Sequence, residues 1–530
     1  MNREYENQSV LTKTFEEVSH DEVSAEYNLP DYLPDINRLL KISARVCESQ
    51  HDLAGDTVAY DGKVRCTVLY ATGDGNLKSA EFERDFSGNT AVAGTSGDCE
   101  IRFIAEVESV SCRLQNPRKL TARLKLALAT TVLAVRQTAP VVMGKLSAED
   151  EASIESREHG IAGVVRMTVT ERDTPVSEDL ELDAGLPSIE EIVAVEMEPC
   201  ILDVRAGDGK VVYKGEIPTA ILYLAVTDDD APAGSAPQYV AFSAKIPIAG
   251  EIAAQGVTER HVPFASASVG GIEFRPQTNA FGENRTAEID FVYGVDVELY
   301  SNETAVLTAD MYSTAYESVC EMSAISCESV LAARSFNFTT EGDTALEDGD
   351  FKTVVMASAS ASVGETERQG NKLRFSGEAN VCVILTNGEG VYLTRNFPVP
   401  LRAQTEIPAI TGAFSVGTRP TVLSVTARQD GNGIHVNLET LISYVIFEKH
   451  TEAGVAKLSV LKEKPISCDR DASLTLCYPV EQDTLWDVAK RYSTTVAALM
   501  EANGISAESV PSVLVIPRPL SCAAKGRRIL

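Results

Sequence analysis

Apolar and polar residues alternate with a period of two from Val58 to Tyr70. Val58, Tyr60, Gly62, Val64, Cys66, Val68 and Tyr70 stand against Asp61, Lys63, Arg65 and Thr67. This is the pattern of a half-buried β-strand. It returns as Val211, Tyr213, Gly215, Ile217, Thr219, Ile221 and Tyr223, and again as Leu373, Phe375, Gly377, Ala379, Val381, Val383 and Leu385. The shared glycines, Gly62, Gly215 and Gly377, are separated by roughly 150 to 160 residues. That spacing is domain-sized and far above the ~20 to 50 residues of a solenoid unit. A glycine inside such a strand predicts a bulge or a close backbone approach.

Around each organising strand the chain predicts further strands. An apolar patch (SVLTKTF) and an acidic connector (EEVSHDEVSAEY) precede Leu29-Pro30-Asp31-Tyr32-Leu33-Pro34-Asp35-Ile36. Two prolines four apart forbid a helix there and push their predecessors toward extended geometry, giving a rigid entry segment. Gly73-Asp74-Gly75 and Asn387-Gly388-Glu389-Gly390 read as hairpin turns, and so does Asp430-Gly431-Asn432-Gly433. Ser147 to Gly160 reads as an acidic connector with a short helix. Thr227 to Gln238 reads as a long surface loop. In the second repeat, which opens with a strand from Val164, Leu186-Pro187 matches Leu29-Pro30. The third starts near Cys327, with no proline element. Each repeat predicts a sandwich of two short sheets, three of them in an elongated row.

The period changes after Lys462–Asp471. Leu474, Leu476, Tyr478 and Val480 alternate as a strand; Leu485, Val488, Ala489 and Tyr492, then Val496, Leu499 and Met500, recur at helical spacing. Thr484 with Asp487 can cap the first helix, Ser493 or Thr494 the second, and Asn503-Gly504 stops it. A strand from Val513 to Pro517 closes a βααβ unit.

Composition narrows the function. The 530 residues are 44% hydrophobic and 23% charged, so every repeat can bury a core. A net charge of -30 repels phosphate backbones and anionic lipid, which argues against nucleic acid as a partner. Eleven cysteines without a Cys-x-x-Cys spacing read as reduced thiols, with neither disulfide framework nor zinc site. MNREYENQSV lacks the apolar segment of a signal peptide, and no run of about 18 apolar residues occurs, so neither export nor membrane insertion is expected. No nucleophile elbow, P-loop, dinucleotide fingerprint or His-Glu-x-x-His is present, so no catalytic, cofactor-binding or metal-ligating residue is nominated. Core packing and partner contact both remain open for Trp486, the single tryptophan. For Asp483, Thr484 and Asn503 the choice lies between capping and ligand contact, and for Tyr32 and Ile36 between an interface and closure of a sandwich.

LPDYLPDINRLLKISARV followed by YDGKVRCTVLY resembles the SPOCS domain, a domain of spore-coat morphogenesis proteins in spore-forming Firmicutes. YPVEQDTLWDVAKRYSTTVAALMEANGI with SVLVIPRP resembles the LysM domain at Tyr478, Val480, Asp483, Thr484, Leu485, Ala489, Tyr492, Leu499, Asn503, Leu514, Ile516 and Pro517. Gln482 departs from the LysM pattern, where glycine is usual, and so does Pro511-Ser512. The resemblance implies a mostly β chain: SPOCS-like repeats at 1–146, 147–325 and 326–465, then LysM at 474–519. It also implies a non-enzymatic scaffold in the mother-cell cytoplasm, at the forespore and coat surface. LysM would bind the coat morphogenetic ATPase on that surface, and the repeats other coat proteins. The residues it nominates are Gln482, Asp483, Thr484, Leu485, Trp486, Asn503, Gly504 and Ile505 in the LysM loops, with Tyr32, Leu33, Pro34, Asp35 and Ile36 as a candidate SPOCS interface. The alternatives are peptidoglycan binding through LysM and a polysaccharide-acting enzyme that LysM targets. Arg527 and Arg528 add a basic tip that could aid docking.

Overall fold

The computed structural model describes residues 9–92, 99–137, 141–143, 147–226, 236–346, 351, 353–467, 474–506 and 510–517. The loop expected at Thr227–Gln238 lies mostly outside the described residues, as do Arg527 and Arg528. The first unit contains β1 (Ser9–Asn28), β2 (Arg38–Ala54), β3 (Thr57–Ala71), β4 (Leu77–Ala91), β5 (Cys99–Asn116) and β6 (Lys119–Gln137). A linker follows with β7 (Val141–Met143) and the short helix α1 (Ala148–Glu151), capped by Ser147 and Asp150. The second unit contains β8 (Ile154–Glu181), β9 (Ile189–Met197), β10 (Cys200–Gly207), β11 (Lys210–Ala225), β12 (Tyr239–Ala253), β13 (Val262–Thr278) and β14 (Asn284–Ser313). The third contains β15 (Tyr316–Ala345), β16 (Thr353–Gln369), β17 (Lys372–Thr386), β18 (Tyr392–Glu406), β19 (Ala413–Asp430) and β20 (Gly433–Pro465). The tail has β21 (Thr475–Cys477), α2 (Leu485–Arg491), α3 (Val496–Asn503) and β22 (Leu514–Ile516).

One topology is used three times. The last strand of a unit lies between the first and the penultimate strand and pairs with both, giving β1-β6-β5, β8-β14-β13 and β15-β20-β19. The middle strands make the facing sheet, β2-β3-β4, β10-β11-β12 and β16-β17-β18, with β9 also pairing β11. All these ladders are antiparallel. The patterned strands are the central ones, β3, β11 and β17. The chain enters its strands earlier than its patterning suggests. The acidic connector belongs to β1, Ile154–Gly160 opens β8, and residue 326 lies inside β15.

The organising glycines are spatial necessities. The neighbouring strand slips register beside each of them, between Val46 and Glu48, Ile201 and Asp203, and Val363 and Glu365. A Cβ on Gly62, Gly215 or Gly377 would drive into the carbonyl oxygen of Glu48, Cys200 or Ser362 respectively. Both the bulge and the close approach expected there are present.

The units do not stand in a row. β4 lies beside β9, β12 beside β16 and β18 beside β2, so the last strand of each middle sheet meets the first of the next, and the ring closes. This is the head-to-tail arrangement of a cyclic oligomer, built in one chain. Leu69, Leu222 and Ile384, at the same position in the three central strands, share one buried cluster with Leu40, Leu77, Val193, Met356 and Tyr392. Alternation hides this contact, because near their ends the central strands are apolar on both faces. The Lys41 ammonium ties all three units, bonding Glu196 of the second and, at 2.6 Å, the Ser358 hydroxyl of the third. The Tyr239 hydroxyl accepts from the Leu77 backbone at 2.8 Å, and that of Tyr392 donates to the Gly75 carbonyl at 3.1 Å.

Candidate functional site

The proline-rich entry segment is a buttressed loop. Leu29 and Ile36 are buried, Leu33 packs beside them, and Tyr32 is 84% exposed. Ile36 therefore closes the sandwich while Tyr32 stands in solvent. Arg118, in the β5–β6 hairpin, donates to the carbonyls of Pro30 (2.8 Å), Leu29 and Leu33 and to the Asp35 carboxylate (2.7 Å). Tyr70 donates to the Pro34 carbonyl. The second unit repeats this construction. Arg285 donates to the Leu186 (2.8 Å), Asp183 (2.7 Å) and Leu182 carbonyls, and Tyr223 to that of Pro187. Leu186-Pro187 is thus the counterpart of Leu33-Pro34, not of Leu29-Pro30. The prolines at 30 and 34 misled the comparison, because one hydrogen-bonded carbonyl position, Pro34 or Pro187, defines the correspondence.

The tail folds around Cys477, Leu485, Val488, Ala489, Leu499, Leu514 and Ile516. Thr484 and Asp487 form a complete capping box for α2. Thr495 caps α3 in place of the expected Ser493 or Thr494, and Ser493 takes a positive φ of 52° in the turn. Gly504, at φ 63°, ends α3 as expected. The predicted strand of Leu474, Leu476, Tyr478 and Val480 is cut to Thr475–Cys477, and its phase is inverted. Those four side chains are exposed and Cys477 is buried. Only one face of so short a strand meets the helices, and Cys477 occupies it.

The nominated loop residues divide sharply. Asp483 is bound by Arg491 (2.9 Å) and accepts from the Val480 backbone, and the Arg491 guanidinium holds its carboxyl below the usual range. Thr484 is spent on the cap. Asn503 donates to the Leu499 and Val515 carbonyls and accepts from the Val515 amide, stapling α3 to β22. Leu485 is buried, Ile505 packs against the core, and Gln482 and Gly504 are exposed. Around these loops, Tyr478 (70%), Val480 (66%), Val513 (41%) and Val510 (39%) are exposed.

Trp486 faces the other way, onto the second unit. Its indole N–H donates to Asp310 at 2.8 Å, and its ring meets Tyr312 edge to face, 5.0 Å between centroids. Arg157 lies over the indole and Lys490 pairs with Asp310, while Tyr312 donates to the Thr494 carbonyl at 2.7 Å. Asp310, Tyr312 and Arg157 have no sequence signal, since their partners lie some 170 residues or more away in the chain.

The architecture is three β units, each of two facing sheets, followed by a small βααβ module. Residues 35–115 and 188–276 match the family model described as SipL, SPOCS domain, and residues 480–513 match the LysM domain. Two regions of the chain thus match the SPOCS domain, and one C-terminal region matches the LysM domain. No curated protein matches the chain.

Proposed function

We propose that this chain is a non-enzymatic scaffold of spore-coat assembly that works in the mother-cell cytoplasm at the forespore surface. Its LysM domain docks the coat morphogenetic ATPase, and the ring of β units holds other coat proteins. The third unit serves as a further SPOCS-type repeat, because its strand order repeats that of the other two. One observation carries the choice of a protein ligand for LysM. The polar side chains of Asp483, Thr484 and Asn503 are used internally, while Tyr478, Val480, Val510 and Val513 stand in solvent around the loops beside the exposed Gln482. Exposed aromatic and aliphatic anchors suit a protein hot spot.

The test is a pull-down from sporulating lysate with the tagged full chain and with a Tyr478→Ser/Val480→Ser variant. Both side chains are exposed, so the variant keeps its fold. Capture of the ATPase by the wild type and its loss in the variant supports the proposal. Retention of muropeptides by both, without the ATPase, transfers the site to peptidoglycan.

A further inference from the structure

Buried charge is concentrated where the outer sheets of the three units meet. Glu298 of β14 accepts from Arg102 of β5 (2.9 Å), Arg166 of β8 (3.1 Å) and the Tyr300 hydroxyl (2.9 Å). Arg166 also pairs with Glu100 at 2.7 Å. Two guanidiniums and two carboxylates thus balance, and Glu298 already accepts three donors. Arg419, on β19 of the third unit, brings a further positive charge. It stacks over Phe264 at 4.7 Å, and its Nη1 is closed off from solvent without a hydrogen-bond acceptor among the described residues. Burial pulls its pKa below the usual arginine range; Glu298 works against that fall and Arg102 adds to it.

A guanidinium stays protonated at any physiological pH, so Arg419 cannot escape its burial by losing charge. The aromatic face supplies part of the compensation, and unmet N–H donors supply none. Forked donors in a water-poor junction match the planar or tetrahedral oxygens of a small oxyanion. Arg102, which bonds Glu298 in the same cluster, is partly open to solvent. We propose that Arg419, with Arg102 beside it, forms a site for a small oxyanion of the phosphate or carboxylate class, which fastens the three units at their common junction.

The test uses the full chain, its Arg419→Met variant and its Arg419→Lys variant. Thermal unfolding is followed in phosphate, acetate and chloride titrations at matched ionic strength. The wild type should rise by several degrees and saturate in phosphate or in acetate, and whichever ion saturates identifies the class. Arg419→Met, having no charge to compensate, should melt at or above the anion-free wild type and show no saturable rise. Arg419→Lys keeps the charge without the fork, and its midpoint should move to roughly tenfold higher anion concentration. If Arg419→Met does not fold, the lysine variant alone decides. No saturable rise in the wild type, or the same rise and midpoint in a variant, overturns the proposal.

Discussion

The indole of Trp486 and the carboxylate of Asp310 are joined by a 2.8 Å hydrogen bond that crosses from the LysM domain to the second β unit. Trp486 is thereby turned away from the tail's loops, and its contacts with Asp310 and Tyr312 fix how the tail sits on the second unit. Trp486→Ala should cost the docked arrangement about 3–5 kcal/mol, by loss of the buried ring and its bond. Melting of the β units should stay unchanged in that variant. Trp486 is the single tryptophan, so its emission reports docking directly. Asp310→Ala should shift that emission to the red.

Gly215→Ala and Gly377→Ala should each destabilise by more than about 3 kcal/mol, because the new methyl meets a backbone carbonyl that cannot swing aside. Gly185→Ala, with open space around it and no positive φ, should fall within about 0.5 kcal/mol of wild type. Urea unfolding of the three variants checks the ordering.

Removing Lys41 should loosen the ring rather than a single unit. Its ammonium is largely buried and the Glu196 carboxylate is part-exposed. Lys41→Met should therefore cost roughly 1–3 kcal/mol, below the full penalty for stranding a buried charge. Adding Glu196→Gln should recover part of the loss, since no unpaired carboxylate then remains. A double-mutant cycle measures the coupling.

Stability should fall on the acid side through Glu448. Its carboxylate accepts from the Thr411 hydroxyl and from the Thr411 and Gly412 amides, and these bonds lower its pKa. A lowered folded-state pKa gives stability that is complete above the unfolded value, about 4.3, and is lost as pH falls through the folded one. Glu448→Gln should be less stable at pH 7 and flatter below about pH 4.5, as calorimetry across that range would show.

Local order was legible in the sequence, and closure was not. The central strands, the glycine beside each bulge, the Thr484–Asp487 box and the Gly504 stop are all set by neighbours along the chain. Leu69, Leu222 and Ile384 break the alternation because they serve a second interface, which reaches residues more than a hundred positions away. The phase of Leu474 to Val480 was misread for a related reason. Alternation shows which residues share a face, but not which face is covered. For the nominated loop residues other than Thr484 the chain order carries no information on what each side chain meets. That Asp483 and Asn503 are occupied internally, and that Trp486 looks toward Tyr312, follows only from three-dimensional placement.

The closed ring also distinguishes this chain from an oligomer of separate copies. Three identical subunits could exchange members or admit a stranger, whereas here the seam between β18 and β2 is sealed within one molecule. Its corners are distinguishable, because the Trp486–Asp310 and Lys490–Asp310 contacts seat the LysM domain against the second unit. The strand ends that join the units are already occupied, since β4, β12 and β18 each face a partner strand of the next unit.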